Sequence, residues 1–213
     1  KKPLEYSLKN ALFQNLWDPK VITIFKSLFQ NDQYKDEFFE CNIFWGDARE
    51  EIKTIPKNIK FDLIYLDGFS PQKCPQVWSV EFLAKLNEKL KPNGYLITYS
   101  SAAAIRKTLR NFGLNIFNIK QSLVSKKNWS NGTIAIKKIS AKNLQNNLYF
   151  EKLSSMEEEH LLTTASIPYR DPSLSSKTKD IILRRSKEQL CSNLKNSKKW
   201  RDKWGMTKST LNS

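Results

Sequence analysis

Short apolar segments alternate with amphipathic helical segments through the middle of the chain, and this order limits the possible folds more than any other feature. The predicted strands are 38–45, 61–66, 95–99, 114–119 and 132–138, the last two antiparallel, and the predicted helices between them are 47–55, 77–90 and 102–112. Strand–helix–strand order indicates neighbouring parallel strands covered by helices. The sequence therefore predicts an α/β fold, whose ligands bind beyond the carboxyl ends of the strands.

The two ends of the chain differ from this central part. Residues 1–36 predict two helices, the second beginning at Asp18-Pro19, although the β-branched segment 21–24 could also form a strand. After about residue 140, glycine is absent until Gly205 and lysine, asparagine and serine dominate. We therefore expect a sheet domain over residues 1–140 and a basic, partly helical extension over residues 141–213.

The charge of the chain indicates a polyanionic partner. Lys and Arg number 36 against 21 Asp and Glu, which gives a net charge of +15. Residues 170–213 contain 12 basic and 4 acidic residues, a net charge of +8. Nucleic acid is the first partner to consider for such a chain. Aromatic rings among the cations predict RNA contacts at Arg184, Arg185, Lys198, Lys199, Trp200 and Arg201.

Two other interpretations of this extension stay open. Its lysines could form only a solvated surface, and Ile181, Ile182 and Leu183 could pack on the sheet domain instead.

Composition also excludes several classes of protein. No apolar run approaches the roughly 20 residues of a membrane span, and the N-terminus lacks the apolar core of a signal peptide. Cys41, Cys74 and Cys191 are far apart, so we expect a reducing, cytoplasmic location without disulfides. His160 is the one histidine, which argues against a metal centre or a Ser-His hydrolase.

The residues that follow the predicted strands are the candidates for chemistry. Strand 61–66 (FDLIYL) is apolar almost throughout, which predicts burial on both faces, and Asp67-Gly68-Phe69-Ser70-Pro71 follows it directly. A carboxylate at this position would point into the crevice beside an aromatic wall, although Asp-Gly-x-x-Pro is also common turn chemistry.

Two further strand ends carry weaker signals. Gly46-Asp47-Ala48-Arg49 follows the preceding predicted strand, where Asp47 could accept a hydrogen bond from an adenine amine or simply cap a helix. Tyr99 and Ser100 follow strand 95–99, where small residues allow either ligand approach or close helix packing.

The order and spacing of these motifs resemble a known family. The segments WGDARE, FDLIYLDGFSPQKCPQVWS and KPNGYLITYSSAAAIRKTLRNFG, within residues 44–119, are similar to the methyltransferase domain of the bacterial tRNA 5-methylaminomethyl-(2-thio)uridine biosynthesis family. The resemblance is most specific in D-G-F-[AS]-P followed by P-x-x-W. It implies a class I, Rossmann-like fold and S-adenosylmethionine as the methyl donor. The implied reaction methylates the aminomethyl amine of uridine 34 in the tRNA anticodon loop, without a metal.

The resemblance also assigns roles to individual residues. It implies cofactor contacts at Asp47, Ala48, Asp67 and Gly68, with Asp47 at the adenine ring and Asp67 also as the catalytic group beside the accepting amine. It implies that the uridine pocket is formed by Phe69, Pro71, Trp78, Tyr99 and Ser100.

One feature of the family is missing from the sequence. Class I methyltransferases place a glycine-rich loop after their first strand, whereas the first glycine here is Gly46. We therefore expect that this chain lacks the first strands and the cofactor loop of the family. The alternatives to methylation of uridine 34 are an RNA-binding module without catalysis and a class I methyltransferase with another substrate.

Overall fold

The computed structural model describes residues 1–120, 131–138 and 148–206. The chain divides into two compact units, Lys1–Glu51 and Ile52–Ser213. Within the described residues, no helix has the length and apolar character that crossing a membrane requires.

The first unit is a small helical assembly with one hairpin. Its elements are α1 (Lys2–Lys9), α2 (Ala11–Leu16), α3 (Pro19–Asn31), β1 (Gln33–Lys35), β2 (Glu40–Asn42) and the first turn of α4 (Ala48–Thr54). The sequence predicted two helices before residue 36, whereas Asn10 interrupts the first one by accepting hydrogen bonds from Leu12 and Phe13 amides. Asp18 caps α3 as predicted, and residues 21–24 are helical, so the alternative strand is wrong.

In the described part of the second unit, five strands form a sheet with one parallel pair. Its strands are β3 (Phe61–Tyr65), β4 (Leu90–Thr98), β5 (Asn115–Ile119), β6 (Thr133–Ile136) and β7 (Phe150–Lys152), in the order β3-β4-β6-β5-β7. β3 and β4 are parallel, and every other neighbouring pair is antiparallel, including β5 and β6 as predicted. The carboxyl ends of β3 and β4 therefore meet the amino end of β6 at one edge.

Two predictions about the strands are wrong. Segment 38–45 contributes only β2, which pairs with β1 in a separate two-stranded sheet, and β7 is the fifth strand of the main sheet instead. β3 is not buried on both faces, and within the described residues it is an edge strand that pairs with β4. Phe61, Leu63 and Tyr65, which alternate along one face of β3, are all exposed.

The principal core lies on one face of the main sheet. Leu66, Leu96 and Ala135 pack there against α5 (Val80–Lys89) and α6 (Ala103–Asn111). A smaller cluster of Phe117, Ile134, Ile136 and Phe150 occupies the opposite face. Burial of this apolar area is the main stabilising contribution to the second unit.

Residues 148–206 belong to the same compact unit as the sheet. They form β7, α7 (Ser155–His160), α8 (Thr178–Leu190) and α9 (Ser197–Lys203). Leu161, Tyr169, Leu174 and Ile181 are buried in the principal core. The predicted boundary at residues 140 and 141 lies outside the described residues. Of the three residues in the alternative interpretation, Ile181 packs on the sheet domain, whereas Ile182 and Leu183 are exposed.

A buried ion pair joins α6 to α7. The Arg106 guanidinium donates to Glu157 at 2.8 Å, and the two side chains are 1% and 5% exposed. Arg106 also donates to Thr133 Oγ1 at 2.9 Å and to Asn118 Oδ1 at 2.7 Å. Burial alone would raise the pKa of Glu157, but hydrogen bonds from Arg106, Asn118 and Ser154 hold that pKa below its ordinary value. The carboxylate is therefore ionised in the fold.

The histidine lies in the same region. The His160 ring stacks on Trp200 with centroids 3.9 Å apart, and Trp200 Nε1 donates to the Met156 carbonyl at 3.0 Å. Burial, followed by the positive charges of Arg106 and Arg201, lowers the pKa of His160 from 6.5 to about 4, although Glu157 opposes the shift. The imidazole is therefore neutral in the folded protein at pH 7.

This neutral histidine predicts a pH-dependent stability. In the unfolded chain His160 gains a proton near pH 6.5, whereas the folded protein resists protonation until about pH 4. We expect the free energy of unfolding to fall by about 2–3 kcal/mol between about pH 6.5 and 4.5, because each pKa unit corresponds to about 1.4 kcal/mol. In the His160→Phe variant, which keeps a ring against Trp200, urea denaturation should show a flatter profile over this interval. If the unfolding free energy of the variant depended on pH as that of the wild type does, His160 would not be the group responsible.

Candidate functional site

The loop after β3 is fastened to the end of β4 by two aromatic side chains. Trp78 Nε1 donates to the Phe69 carbonyl at 2.7 Å, and the Tyr99 hydroxyl donates to the Gly68 carbonyl at 2.8 Å. The Trp78 and Tyr99 rings meet edge to face at 6.0 Å. The backbone of residues 67–69 therefore occupies a fixed position at the carboxyl edge of the parallel strands.

Local sequence explains the shape of this loop. A Cβ atom at Gly68 would come 2.7 Å from Val77 Cγ2, so only glycine allows the close approach of the segment around Trp78. The amides of Lys73 and Cys74 donate to the Ser70 carbonyl at 2.8 and 2.9 Å, which closes a tight turn. Pro75 then begins a 3₁₀ helix, Pro75–Trp78, ahead of α5.

The predicted site residues of this loop differ in exposure. Asp67 is exposed and Phe69 is 78% exposed, so both are open to a ligand. Pro71 is half-buried, whereas Trp78 is fully buried. The Trp78 ring therefore lies beneath the loop and fixes it, and the predicted contact of Trp78 with a uridine stays a prediction.

The second predicted strand end, Tyr99-Ser100, lies beside this loop. Tyr99 is 46% exposed and Ser100 is buried. The Ser100 carbonyl accepts a hydrogen bond from Thr133 Oγ1 at 2.6 Å. A Cβ atom at Gly132 would collide with the Thr98 carbonyl, and Gly132 has a φ of +144°.

Sequence reasoning missed Gly132, Thr133 and Arg106 as parts of this edge. Arg106 donates to both the Thr133 hydroxyl and the Gly132 carbonyl, so the buried ion pair supports the position of Ser100. The sequence did offer one signal, because Arg106 is a charged residue directly after the apolar segment 102–105.

The electrostatics of the edge connect Tyr99 with Asp67. Partial burial raises the pKa of the Tyr99 phenol, and the electrostatic effect of Asp67, followed by that of Cys74, raises it further. Tyr99 therefore stays protonated at neutral pH and can keep donating to Gly68. Within the described residues, no group of three or more His, Cys, Asp or Glu side chains could hold a metal ion.

Removing the Tyr99 hydroxyl is expected to loosen the loop. Tyr99→Phe keeps the ring beside Trp78 but loses the hydrogen bond to Gly68, which should cost about 0.5–1.5 kcal/mol. Hydrogen exchange of the amides at residues 68–70 should accelerate. Tyr65→Phe is the control, since that hydroxyl makes no hydrogen bond within the described part of the chain. If these amides exchanged at the same rate in both variants, the Tyr99 hydroxyl would not be restraining the loop.

Asp47, in the first unit, takes the helix-capping role that the sequence left open. Its Oδ1 accepts the Arg49 amide at 2.9 Å, and its Oδ2 accepts Arg49 Nη2 at 2.6 Å. The Asp47 side chain is nevertheless 45% exposed. Arg49 Nε also donates to both carboxylate oxygens, at 3.0 and 3.1 Å, so Arg49 already uses about four acceptor positions of the carboxylate, and an adenine amine would compete with it. Ala48 is exposed beside it. Their contact with the cofactor stays a prediction.

The residues predicted to contact RNA differ in their exposure to solvent. Lys198 and Lys199 are exposed, and Arg201 and Arg184 are partly exposed. Trp200 is 3% exposed, so its ring is enclosed rather than open to a base. Arg185 is half-buried over the Tyr169 ring, 4.4 Å from its centroid.

Comparison with known proteins identifies the family to which the chain belongs. The profile of a family described as S-adenosyl-L-methionine-dependent methyltransferases matches residues 11–135. The uncharacterized protein MJ0670 of Methanocaldococcus jannaschii is 31% identical over 158 residues, which cover 74% of this chain and 40% of that protein. The tRNA 5-methylaminomethyl-2-thiouridine biosynthesis bifunctional protein MnmC of Dichelobacter nodosus is 32% identical over 74 residues, or 35% of this chain and 12% of that protein.

A solved structure supports the fold. The crystal structure of MNMC2 from Aquifex aeolicus superimposes with a TM-score of 0.68 at 25% identity, covering 83% of this chain and 54% of that one. The chain thus spans less than two thirds of the length of each of these three proteins. The predicted class I α/β fold and the predicted methyl donor are confirmed, and the chain belongs to the S-adenosyl-L-methionine-dependent methyltransferases.

Proposed function

We propose that this protein methylates the aminomethyl amine of uridine 34 in tRNA, converting a 5-aminomethyl group into a 5-methylaminomethyl group. The observation that carries the proposal is the exposed Asp67 at the start of a loop fixed by Trp78 and Tyr99. Its neighbour Phe69 offers an exposed aromatic surface for a pyrimidine ring. The tRNA-modifying relative MnmC and the net charge of +15 support an RNA substrate.

The proposed reaction requires a neutral amine. An aliphatic amine with a pKa of about 10 is mostly protonated at pH 7, and only its neutral form has a lone pair for attack. S-adenosyl-L-methionine supplies an electrophilic methyl group on a sulfonium sulfur. Asp67 accepts hydrogen bonds from the amine N–H groups, directs the lone pair and takes up the released proton.

The rest of the loop helps to position the uridine base. A general base of this kind gives about 10²–10⁴ in rate, and orientation of the reacting groups gives as much or more. Phe69 and Tyr99 confine the base, while the main-chain hydrogen bonds from Trp78 and Tyr99 prevent the loop from moving with it. Gly68 is the residue of this loop that we assign to the cofactor.

Transfer of a labelled methyl group tests the proposed substrate. The protein should label tRNA that carries 5-aminomethyluridine at position 34 and should not label the same tRNA with unmodified uridine. Equal labelling of both RNAs would show that the amine is not the acceptor, and labelling of neither RNA would contradict the proposed reaction.

A further inference from the structure

A cavity of about 330 Å³ lies between α8 and the loop that follows Asp67. It is lined by Gln72, Tyr169, Ile182, Arg185 and Ser186. Gln76, in the 3₁₀ helix that follows this loop, donates to Thr178 Oγ1 at 2.7 Å, which ties the end of the loop to the start of α8. The cavity is therefore a fixed part of the second unit.

Only some of the hydrogen-bond donors of Arg185, the cation in this cavity, have partners within the described residues. Arg185 Nε donates to the Ile167 carbonyl at 2.7 Å, and Nη2 donates to the Ala165 carbonyl at 3.0 Å. A guanidinium has five N–H donors, so three are left without a hydrogen bond within the described residues. No carboxylate in the described part of the chain forms an ion pair with Arg185.

The surroundings make this cation unusual. Burial lowers the pKa of the Arg185 guanidinium, and its flat face lies over Tyr169 instead of beside an acid. Arg185 is half-buried, and its unused N–H groups are not among the buried unsatisfied atoms of the described residues, so they are open to solvent or to a ligand. An anion with several acceptor oxygens would supply the missing hydrogen bonds, and a phosphate group matches the guanidinium fork.

The cavity is also close to the proposed reaction. Gln72 follows Asp67 by five residues, so their Cα atoms are at most about 18 Å apart. An RNA strand whose base occupies the Asp67 loop can therefore extend into this cavity.

We propose that this cavity binds a backbone phosphate of the RNA substrate, with Arg185 as the cation that receives it and Gln72 at its rim. The identity of the anion as RNA rests on the proposed function. Because Arg185 also supports the fold, the test uses Gln72, which is exposed and whose side chain makes no hydrogen bond within the described residues.

The test is the salt dependence of tRNA binding by the full chain. Gln72→Glu places a carboxylate beside Arg185, so one phosphate contact should be lost and the log–log salt slope should become shallower by about 0.7–0.9. Asn93→Asp is the matched control, since Asn93 is exposed at the amino-terminal half of β4 and aspartate tolerates its φ of 64°. Its slope should equal that of the wild type, and both variants should keep the wild-type thermal midpoint.

Three results would overturn the inference. They are an unchanged slope for Gln72→Glu without inhibition by inorganic phosphate, an equal change in both variants, and an unchanged slope with inhibition by inorganic phosphate, which would indicate a small-anion site. The test is separate from catalysis. A shallower slope in a protein that transfers no methyl group would support this phosphate site while rejecting the proposed reaction. An unchanged slope in a protein that transfers the methyl group normally would reject this phosphate site while supporting the proposed reaction.

Discussion

Replacing Glu157 by alanine is expected to lower the free energy of unfolding by about 3–5 kcal/mol, because the substitution leaves Arg106 buried without its counter-charge. Thr133 and Asn118 would still accept hydrogen bonds from Arg106, but neither carries a charge. Urea denaturation at pH 7 measures the loss.

The adjacent residue provides the control. Glu158 pairs with Arg110 at 2.7 Å, but its side chain is 48% exposed. Since exposed ion pairs contribute about 0–1 kcal/mol, Glu158→Ala should have only that small effect. Similar losses for the two alanine variants would show that the buried pair has no special role in stability.

Replacing Asp67 by asparagine is expected to reduce methyl transfer by at least about tenfold, and by up to about 10⁴-fold if Asp67 is the sole proton acceptor. An amide can still orient an amine through its carbonyl oxygen, but it cannot take up a proton. Single-turnover rates on tRNA carrying 5-aminomethyluridine measure the chemical step separately from binding.

A second carboxylate of the same segment serves as the control for Asp67. Asp62 is exposed on β3 and pairs with Lys91 at 2.8 Å. Asp62→Asn should leave the single-turnover rate unchanged, and both variants should bind S-adenosylmethionine nearly as the wild type does. An Asp67→Asn variant that reacts at the wild-type rate would reduce Asp67 to a turn residue.

Features that depend on neighbouring residues could be predicted from the sequence. Asp18-Pro19 begins a helix because a side-chain cap and a fixed φ act within one turn. Gly68 allows the loop after β3 for a similarly local reason, since its missing Cβ lets Val77 approach. The loop after β3 was therefore located correctly.

Features that depend on distant partners could not be predicted in this way. The apolar pattern of 61–66 indicated a strand, but its place at the sheet edge depends on pairing with β4. Arg106 and Glu157 are 51 residues apart, so nothing local indicated that they form a buried pair. Trp200 lies among lysines in the sequence, which suggested RNA binding, whereas in the fold its ring packs on His160.

Nucleoside mass spectrometry of the product tests the central claim most directly. After incubation of aminomethylated tRNA with S-adenosylmethionine, wild-type protein should convert 5-aminomethyluridine at position 34 to the 5-methylaminomethyl nucleoside. Asp67→Asn should form little of it in the same time, and Asp62→Asn should match the wild type. A methyl group found on any other nucleoside, or equal product from the Asp67 variant, would contradict the account.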